Sequence, residues 1–332
     1  MDIESRDRER SLRLLFESVM EYTIINGYKI SKLVLGTVAL GMDYGISNEK
    51  GRPNGRQSAE VLSTAWKAGI NTLDTARTYG VAEQIIGTYL KKKDACREVN
   101  VISKFKLSKE SLDSYDLSKK EAVESVMVSL DKLKIPKLPV CLLHMSRELN
   151  EKRVLEYIPA IFKELKEMQM IDLAGVSIDH PRELAWFVDE EIISAYQVPV
   201  NIFDQRLLRD DMLNHLHKKG KLLFARSVFL QGLFFLHPDQ LKGNLTAVRP
   251  FLEQLHLLAK KEGLTIAELA FSYIRHMQPI TSMVLGAENS YQVEQNVQLM
   301  SAPPLRKEAS DQIAELFNAV PEDLITPGNW RV

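Results

Sequence analysis

Four residues in the first half of the chain are of types that together make a proton-transfer device: Asp74, Tyr79, Lys104 and His144. A Tyr hydroxyl ordinarily titrates near about 10, too high for efficient proton exchange at neutrality. A Lys ammonium beside it favours the phenolate and lowers that value. A carboxylate holds the ammonium in place, and an imidazole can orient a carbonyl oxygen toward the hydroxyl. Such a set protonates an oxygen while hydride reaches the adjoining carbon. It cannot supply the hydride itself, so a nicotinamide cofactor is required.

Each of these residues also has an ordinary explanation. A Lys at a strand end is a solvated terminator, a His before a loop is a hydrogen-bonded structural residue, and an Asp-Thr pair caps the next helix. Their positions argue otherwise. Asp74 closes the run Ile70–Asp74, Lys104 closes Val99–Lys104 and His144 closes Pro139–His144, with Tyr79 in the loop after the first of them. Side chains alternate faces along a strand, so Asp74 shares a face with Thr72, Lys104 with Ile102 and His144 with Leu142.

The elements that would hold them repeat along the chain. Further strand candidates are Leu33–Thr37, Asp172–Ser177, Ala195–Val200, Leu222–Ser227 and Ser282–Gly286. Amphipathic helical segments lie between the strands, among them Ser58–Ala68, Ala82–Lys92, Ser118–Lys132, Glu151–Met168, Arg182–Asp189, Arg249–Glu262 and Ser290–Leu299. Eight strand–helix units over roughly 260 residues predict an α/β fold, a (β/α)₈ TIM barrel, whose chemistry sits where the strands end. An open doubly wound sheet would want Gly-x-Gly-x-x-Gly after an early strand, and the chain has none. Asn26-Gly27 between two β-prone runs predicts an N-terminal β-hairpin. Residues 1–21 read as an N-terminal helical extension, with Leu12, Leu15, Phe16 and Val19 at helical spacing, and residues 22–332 as a single domain. One more helix, Arg306–Ala319, and a tail ending near Trp330 follow the last unit and would cover one end of the barrel.

Composition narrows the partners. With 43 Lys+Arg against 44 Asp+Glu the formal charge is -1, which removes the electrostatic reason to expect nucleic acid or an anionic membrane surface. A hydrophobic fraction of 45% is that of a globular protein. No run approaches the ~20 apolar residues of a membrane span, and the mixed charges of Met1–Asp7 do not read as a signal peptide. Two cysteines, Cys96 and Cys141, cannot build a disulfide scaffold or a four-cysteine zinc site. A soluble, cytoplasmic protein is expected. No metal site is expected either, since His215 and His217 lie two apart and would not face one ligand on a helix. Met277 and the pair Leu257-Leu258 read as core.

From Tyr22 to Met300 the chain resembles the aldo-keto reductase family. The resemblance rests on Leu35-Gly36-Thr37, Asp74-Thr-Ala-Arg-Thr-Tyr79-Gly80, the strand-end Lys104, Leu143-His144, Gly175-Val-Ser177, Gln197 through Arg206, and Arg226-Ser227 through Gly232. The segment from Leu35 to Ile46 is also similar to a bacterial branch associated with surface-sugar gene clusters. The family implies Tyr79 as general acid/base, Lys104 as its pKa-lowering partner, Asp74 as the Lys anchor and His144 as the group that orients the carbonyl. It implies a nicotinamide dinucleotide held by Thr37, Ser177, Gln197, Arg226, Ser227, Leu230, Gly232, Gly286, Gln292 and Asn296. The carboxamide would contact Ser177 and Gln197. Arg226 replaces an aromatic residue that stacks on the ring, and a guanidinium plane can do the same. Tyr44, Met145 and Trp330 would line the substrate cavity.

The chain departs from the family pattern at three places, one of them Val284-Leu285-Gly286-Ala287 after the eighth strand, where Ile-Pro followed by a basic or small residue is more usual. Ser177 is followed by Ile178 and Asp179 where the family has Asn, so Asp179 or Asn201 would have to supply one carboxamide contact. Gln292 stands where many members carry an Arg that clamps the 2′-phosphate, and a phosphate without a nearby cation loses charge-assisted hydrogen bonds. Family prevalence points to NADP(H), and Gln292 leaves NAD(H) or dual use open. The expected function is NAD(P)(H)-dependent interconversion of a carbonyl (aldehyde, ketone or sugar-like) and an alcohol, on a small-molecule substrate. The alternative is a cofactor-binding regulatory or scaffolding subunit with little turnover, which the helix Arg6–Met20 would serve. Monomer and homo-oligomer are both open.

Overall fold

The computed structural model describes residues 20–48, 50–93, 98–146 and 149–331. The expected N-terminal helix therefore lies outside the described residues except for its last two positions, as does Cys96. Asn26 and Gly27 both adopt positive φ, 50° and 80°, the conformation a two-residue hairpin turn demands. Strands β1 (Tyr22–Ile25) and β2 (Tyr28–Ser31) accordingly pair antiparallel as a separate two-stranded sheet.

Eight further strands, all parallel, form the closed barrel. They are β3 (Leu33–Gly36), β4 (Thr72–Asp74), β5 (Asn100–Phe105), β6 (Leu138–His144), β7 (Ile171–Ser177), β8 (Ile193–Pro199), β9 (Leu222–Arg226) and β10 (Ser282–Gly286), with β10 returning to pair with β3. The strands are apolar on both faces, as parallel strands covered by helices must be. Inside the barrel, Val34, Ile102, Val140, Leu142, Leu173, Ala195, Leu222 and Phe224 form one cluster, and Ile30 of the hairpin packs into its lower end. Outside it, Leu35, Leu73, Val101, Leu143, Val176 and Val198 meet helix residues such as Ile86, Val126, Ile158 and Phe162. Cys141 is buried on this outer face.

The helices start where their caps put them. α1 (Gly55–Lys67) opens on a capping box between Asn54 and Gln57. α2 (Ala82–Lys93), α3 (Tyr115–Leu133), α4 (Glu151–Glu167), α5 (Pro181–Phe187), α6 (Met212–Lys218) and α7 (Arg249–Glu262) follow β4 to β9 in turn. α8 (Ile266–Arg275) has no counterpart in the pattern read from sequence, although Thr265 and Glu268 form a capping box that signals it. α9 (Ser290–Gln298) follows β10, then α10 (Lys307–Phe317) and a short helical turn at Glu322–Ile325.

A second apolar cluster lies beside the barrel. Phe203, Leu230, Phe234, Phe317 and Leu324 are buried in it, and Trp330 packs on its edge. The C-terminal tail therefore has a core of its own. Leu258 is buried as expected, but Leu257 is 68% exposed, because neighbours on a helix point to different faces. No helix among the described residues is long and apolar enough to cross a membrane.

Candidate active site

Face alternation decides which residues reach the upper mouth of the barrel. Ile102 and Leu142 point inward, so Lys104 and His144, two positions on, do too. By the same rule Ser177 follows Leu173 and Gly175, Gln197 follows Ala195, and Arg226 follows Phe224. His144, Ser177, Gln197 and Arg226 converge with Asp74 on a cleft of about 860 Å³, and Lys104 lies behind its lining, in contact with Asp74 and Tyr79.

At its floor the Lys104 ammonium, 2% exposed as a residue, donates to the Asp74 carboxylate at 2.8 Å and to the Thr75 carbonyl at 2.9 Å. It also donates to the Tyr79 hydroxyl oxygen at 3.4 Å, a long hydrogen bond. Asp74 has a second partner not foreseen from sequence: the Gln197 amide donates to it at 2.6 Å, while the Ser177 hydroxyl donates to Gln197 Oε1 at 3.0 Å. Tyr79 and His144 meet edge to face, with ring centroids 6.3 Å apart.

The electrostatics differ from the simple expectation. Burial, and then the Asp74 carboxylate, hold the Tyr79 hydroxyl above the ordinary phenol range. Arg226 pulls the other way, but burial and Asp74 outweigh it. Burial also pulls the Lys104 ammonium below its ordinary value, against the opposing pull of Asp74. His144 falls to about 2 through burial and the cations Lys104, Lys106 and Arg226. The resting site thus holds a neutral phenol and a neutral imidazole around a compensated ion pair.

Tight backbone contacts position Tyr79. Its carbonyl accepts the Ala82 amide, and its own amide donates to Ala76. A Cβ on Gly41 would come within 1.9 Å of that Tyr79 carbonyl, and one on Gly80, at φ +54°, within 2.3 Å of the Gly41 carbonyl. Beneath the turn, the Glu83 carboxylate accepts from the Arg77 guanidinium at 2.7 Å and from the Ser103 hydroxyl at 2.7 Å. Glu83 is 1% exposed and ties the Tyr79 loop to the strand that carries Lys104. In the sequence it is one more acid in the first turn of a helix, so nothing marked it.

Of the residues expected to hold a cofactor, Thr37, Ser177, Gln197, Arg226, Ser227, Gly232, Gly286, Gln292 and Asn296 line the cleft. Leu230 does not: its side chain is fully buried in the second core. Asn201 is also consumed, accepting from the amides of Phe203 and Asp204 and donating to the Ser227 carbonyl. Asp179 is ion-paired with Arg226. Of the three residues expected at the substrate, Tyr44 lines the cleft. Met145 is instead buried in the main core, and Trp330 donates its indole N–H to the Leu324 carbonyl and packs on the second core. Phe229 and Phe235 border the cleft in their place, and nothing in their spacing announced it.

The cleft's volume, with hydroxyl, carboxamide and guanidinium groups among apolar lining, leaves room for a dinucleotide. Ser227, Leu230 and Gln231 all adopt positive φ in the loop after β9, a strained backbone of the kind found at ligand sites. A Cβ on Gly232 would lie 2.0 Å from Ser47 Oγ, so the loops after β3 and β9 meet there. His144 Nδ1 and Arg226 Nε are buried without a protein partner.

Comparisons with known proteins agree with this architecture. The chain is 26% identical over 300 residues to the uncharacterized oxidoreductase YqkF of Bacillus subtilis, covering 84% of this chain and 90% of that protein. It is 26% identical over 298 residues to the NADH-specific methylglyoxal reductase of Escherichia coli, covering 81% and 89%. Among solved structures, the holo form of aldo-keto reductase AKR11C1 from Bacillus halodurans superposes with a TM-score of 0.71 at 21% identity, over 90% of this chain and 96% of that one. The model of the Aldo/keto reductase family matches residues 32–318. This chain belongs to the aldo-keto reductase family and is an NAD(P)H-dependent oxidoreductase.

Proposed function

We propose that Tyr79 is the general acid/base in the interconversion of an aldehyde or ketone, sugar-like hydroxycarbonyls included, with the corresponding alcohol. The reading is supported above all by one arrangement: the buried Lys104 ammonium contacts both Asp74, at 2.8 Å, and the Tyr79 hydroxyl, at 3.4 Å, at the floor of the cleft. A nicotinamide dinucleotide bound in the cleft supplies hydride in the reductive direction and takes it up in the oxidative one.

The protein's own groups handle the proton. A substrate carbonyl oxygen between Tyr79 and His144 accepts a hydrogen bond from the phenol and, from the neutral imidazole, one N–H. As negative charge builds on that oxygen, the Tyr79 proton moves to it. The resulting phenolate is held by the Lys104 ammonium, whose hydrogen bond strengthens as its acceptor becomes charged. Asp74, fixed by Gln197, keeps the ammonium in line and retains its charge. A phenol that starts neutral is the form this direction needs. The rings of Tyr44, Phe229 and Phe235 give the mouth an apolar rim that suits small carbonyl compounds with an apolar part. The reductase of methylglyoxal among the relatives acts on a compound of that class.

Tyr79→Phe removes the proton and little else. A loss of at least about 100-fold in kcat is expected, the lower end of what a positioned acid contributes. Coenzyme affinity, followed by fluorescence titration, should stay within threefold. Turnover surviving within tenfold would show that Tyr79 is not the proton donor. The association role would rest on the helix Arg6–Met20, of which residues 6–19 lie outside the described residues.

A further inference from the structure

Among the described residues that line the cleft, Arg226 is the sole Lys or Arg. It closes β9, whose Phe224 faces the barrel interior, so its guanidinium enters the cleft from a fixed strand end. Three contacts hold it there. Nη2 donates to the Ile178 carbonyl at 2.8 Å and to the Asp179 carboxylate, and Nη1 donates to the Ser227 hydroxyl at 3.1 Å. Among the described residues Asp179 is the one carboxylate paired with it.

Asp179 is held as firmly. Its amide donates to the buried Glu183 at 2.8 Å, in the loop that leads from β7 to α5. Arg206, a second cation within the field of Asp179, is occupied elsewhere: it donates twice to Asp204 at 2.8 Å and meets Glu322 at 3.3 Å. Both charges of the Arg226–Asp179 pair act on the reacting groups. Beneath the larger influences of burial and Asp74, Arg226 pulls the Tyr79 hydroxyl down and Asp179 pushes it up. After burial, and together with Lys104 and Lys106, Arg226 also keeps His144 neutral. The pair therefore adjoins the place where hydride is exchanged, since the carbon that gives or takes hydride must lie about 3–3.5 Å from the substrate carbon between Tyr79 and His144.

We propose that Asp179 neutralises Arg226 so that the cleft admits the oxidised coenzyme, whose ring is cationic, and thereby keeps the alcohol-oxidising direction open. This rests on the cleft being the dinucleotide site and Tyr79 the proton donor, as the proposed function requires. The nicotinamide ring carries a positive charge in NAD(P)⁺ and none in NAD(P)H, so a fixed cation beside it distinguishes the two. A guanidinium without its carboxylate repels the oxidised ring and leaves the reduced one almost untouched. Between unit charges a few Å apart the difference is about tenfold or more in affinity, and less where water screens them. Linkage turns that ratio into a bias of direction, because the balance of the bound couple shifts by the same factor as the two affinities. With Asp179 in place the bias is removed, while Arg226 keeps its hydrogen bonds to the cleft wall.

Calorimetric binding tests the assignment without turnover. NAD⁺, NADH, NADP⁺ and NADPH are titrated into the purified full chain, into Asp179→Asn, into Arg226→Gln and into the double variant. Asp179→Asn should weaken the oxidised form relative to the reduced one by at least about fivefold. Arg226→Gln should move the ratio the other way, since Asp179 then stands alone near the cationic ring. The double variant, with neither charge, should return to within about threefold of the wild-type ratio. A merely structural Asp179 would weaken both forms equally when replaced. That result, or a ratio that Asp179→Asn does not move, overturns the role of Asp179 while leaving the dinucleotide site intact. Failure of every coenzyme form to bind the wild type overturns the proposed function as well.

Discussion

His144 is held neutral by the same burial and cations that organise the rest of the site, and this has a consequence for stability. The unfolded imidazole takes up a proton below about 6.5, whereas the folded one does so only near about 2. Between those values the unfolded chain binds the extra proton. Stability therefore rises with pH through that window and is lost as pH falls from 6.5, by up to about 1.4 kcal/mol per pH unit for this one group. His144→Asn should remove that part of the slope. Urea titrations at pH 7, 6 and 5 check it: a wild-type-minus-variant difference that stays constant across them would mean that the imidazole is not held neutral. The Asp74–Lys104 pair obeys related physics. Burial, with the Asp74 carboxylate second, is why the phenol sits high although a cation lies beside it.

The turn between β4 and α2 carries the proton donor, and its rigidity comes from beneath. Glu83, with a side chain 2% exposed, binds both Arg77 and Ser103, and Ser103 neighbours Lys104 in the chain. Removing one partner of a buried ion pair leaves the other uncompensated, at a cost of about 3 kcal/mol or more. Glu83→Ala should lower unfolding free energy by that amount in urea. It should also reduce kcat more than it weakens coenzyme binding, because Tyr79 loses its support while the far cleft does not. Glu83→Gln, which keeps an acceptor for Ser103, should recover part of the loss. A Glu83→Ala protein as stable as the wild type would mean that the carboxylate reaches water in solution. The strands leading to this site were legible because parallel strands under helices must be apolar and short. Helix α8 was equally readable from Thr265 and Glu268, since a capping box is local.

Stability and chemistry sit at opposite ends of the whole molecule, as in barrels generally. The lower end is closed by the hairpin, where Ile30 is 1% exposed and the Asn71 and Asn100 side chains both donate to the Lys29 carbonyl. Tyr28 donates to Asp172 at 2.5 Å on the same side. Ile30→Ala opens a cavity beneath the barrel interior and should cost about 2–4 kcal/mol. Because the cleft lies at the other mouth, kcat per folded molecule should stay within twofold. A large fall in kcat with stability unchanged would contradict this division.

The sequence alone determined the eightfold strand–helix repeat, the hairpin and the four residues at the strand mouths. These depend on period, on turn chemistry and on residue type, all of which are local. Tertiary structure decided what lies between distant segments: Gln197 on Asp74, Glu83 on Ser103, and Arg226 on Asp179. It also put Met145 in the main core and Trp330 on the edge of the second core, where residue type had suggested substrate contacts, and buried the side chain of Leu230, which the loop's likeness to the family had assigned to the coenzyme. An apolar side chain in a loop satisfies either role, and only the closed barrel and its second core determine which face of that loop meets water.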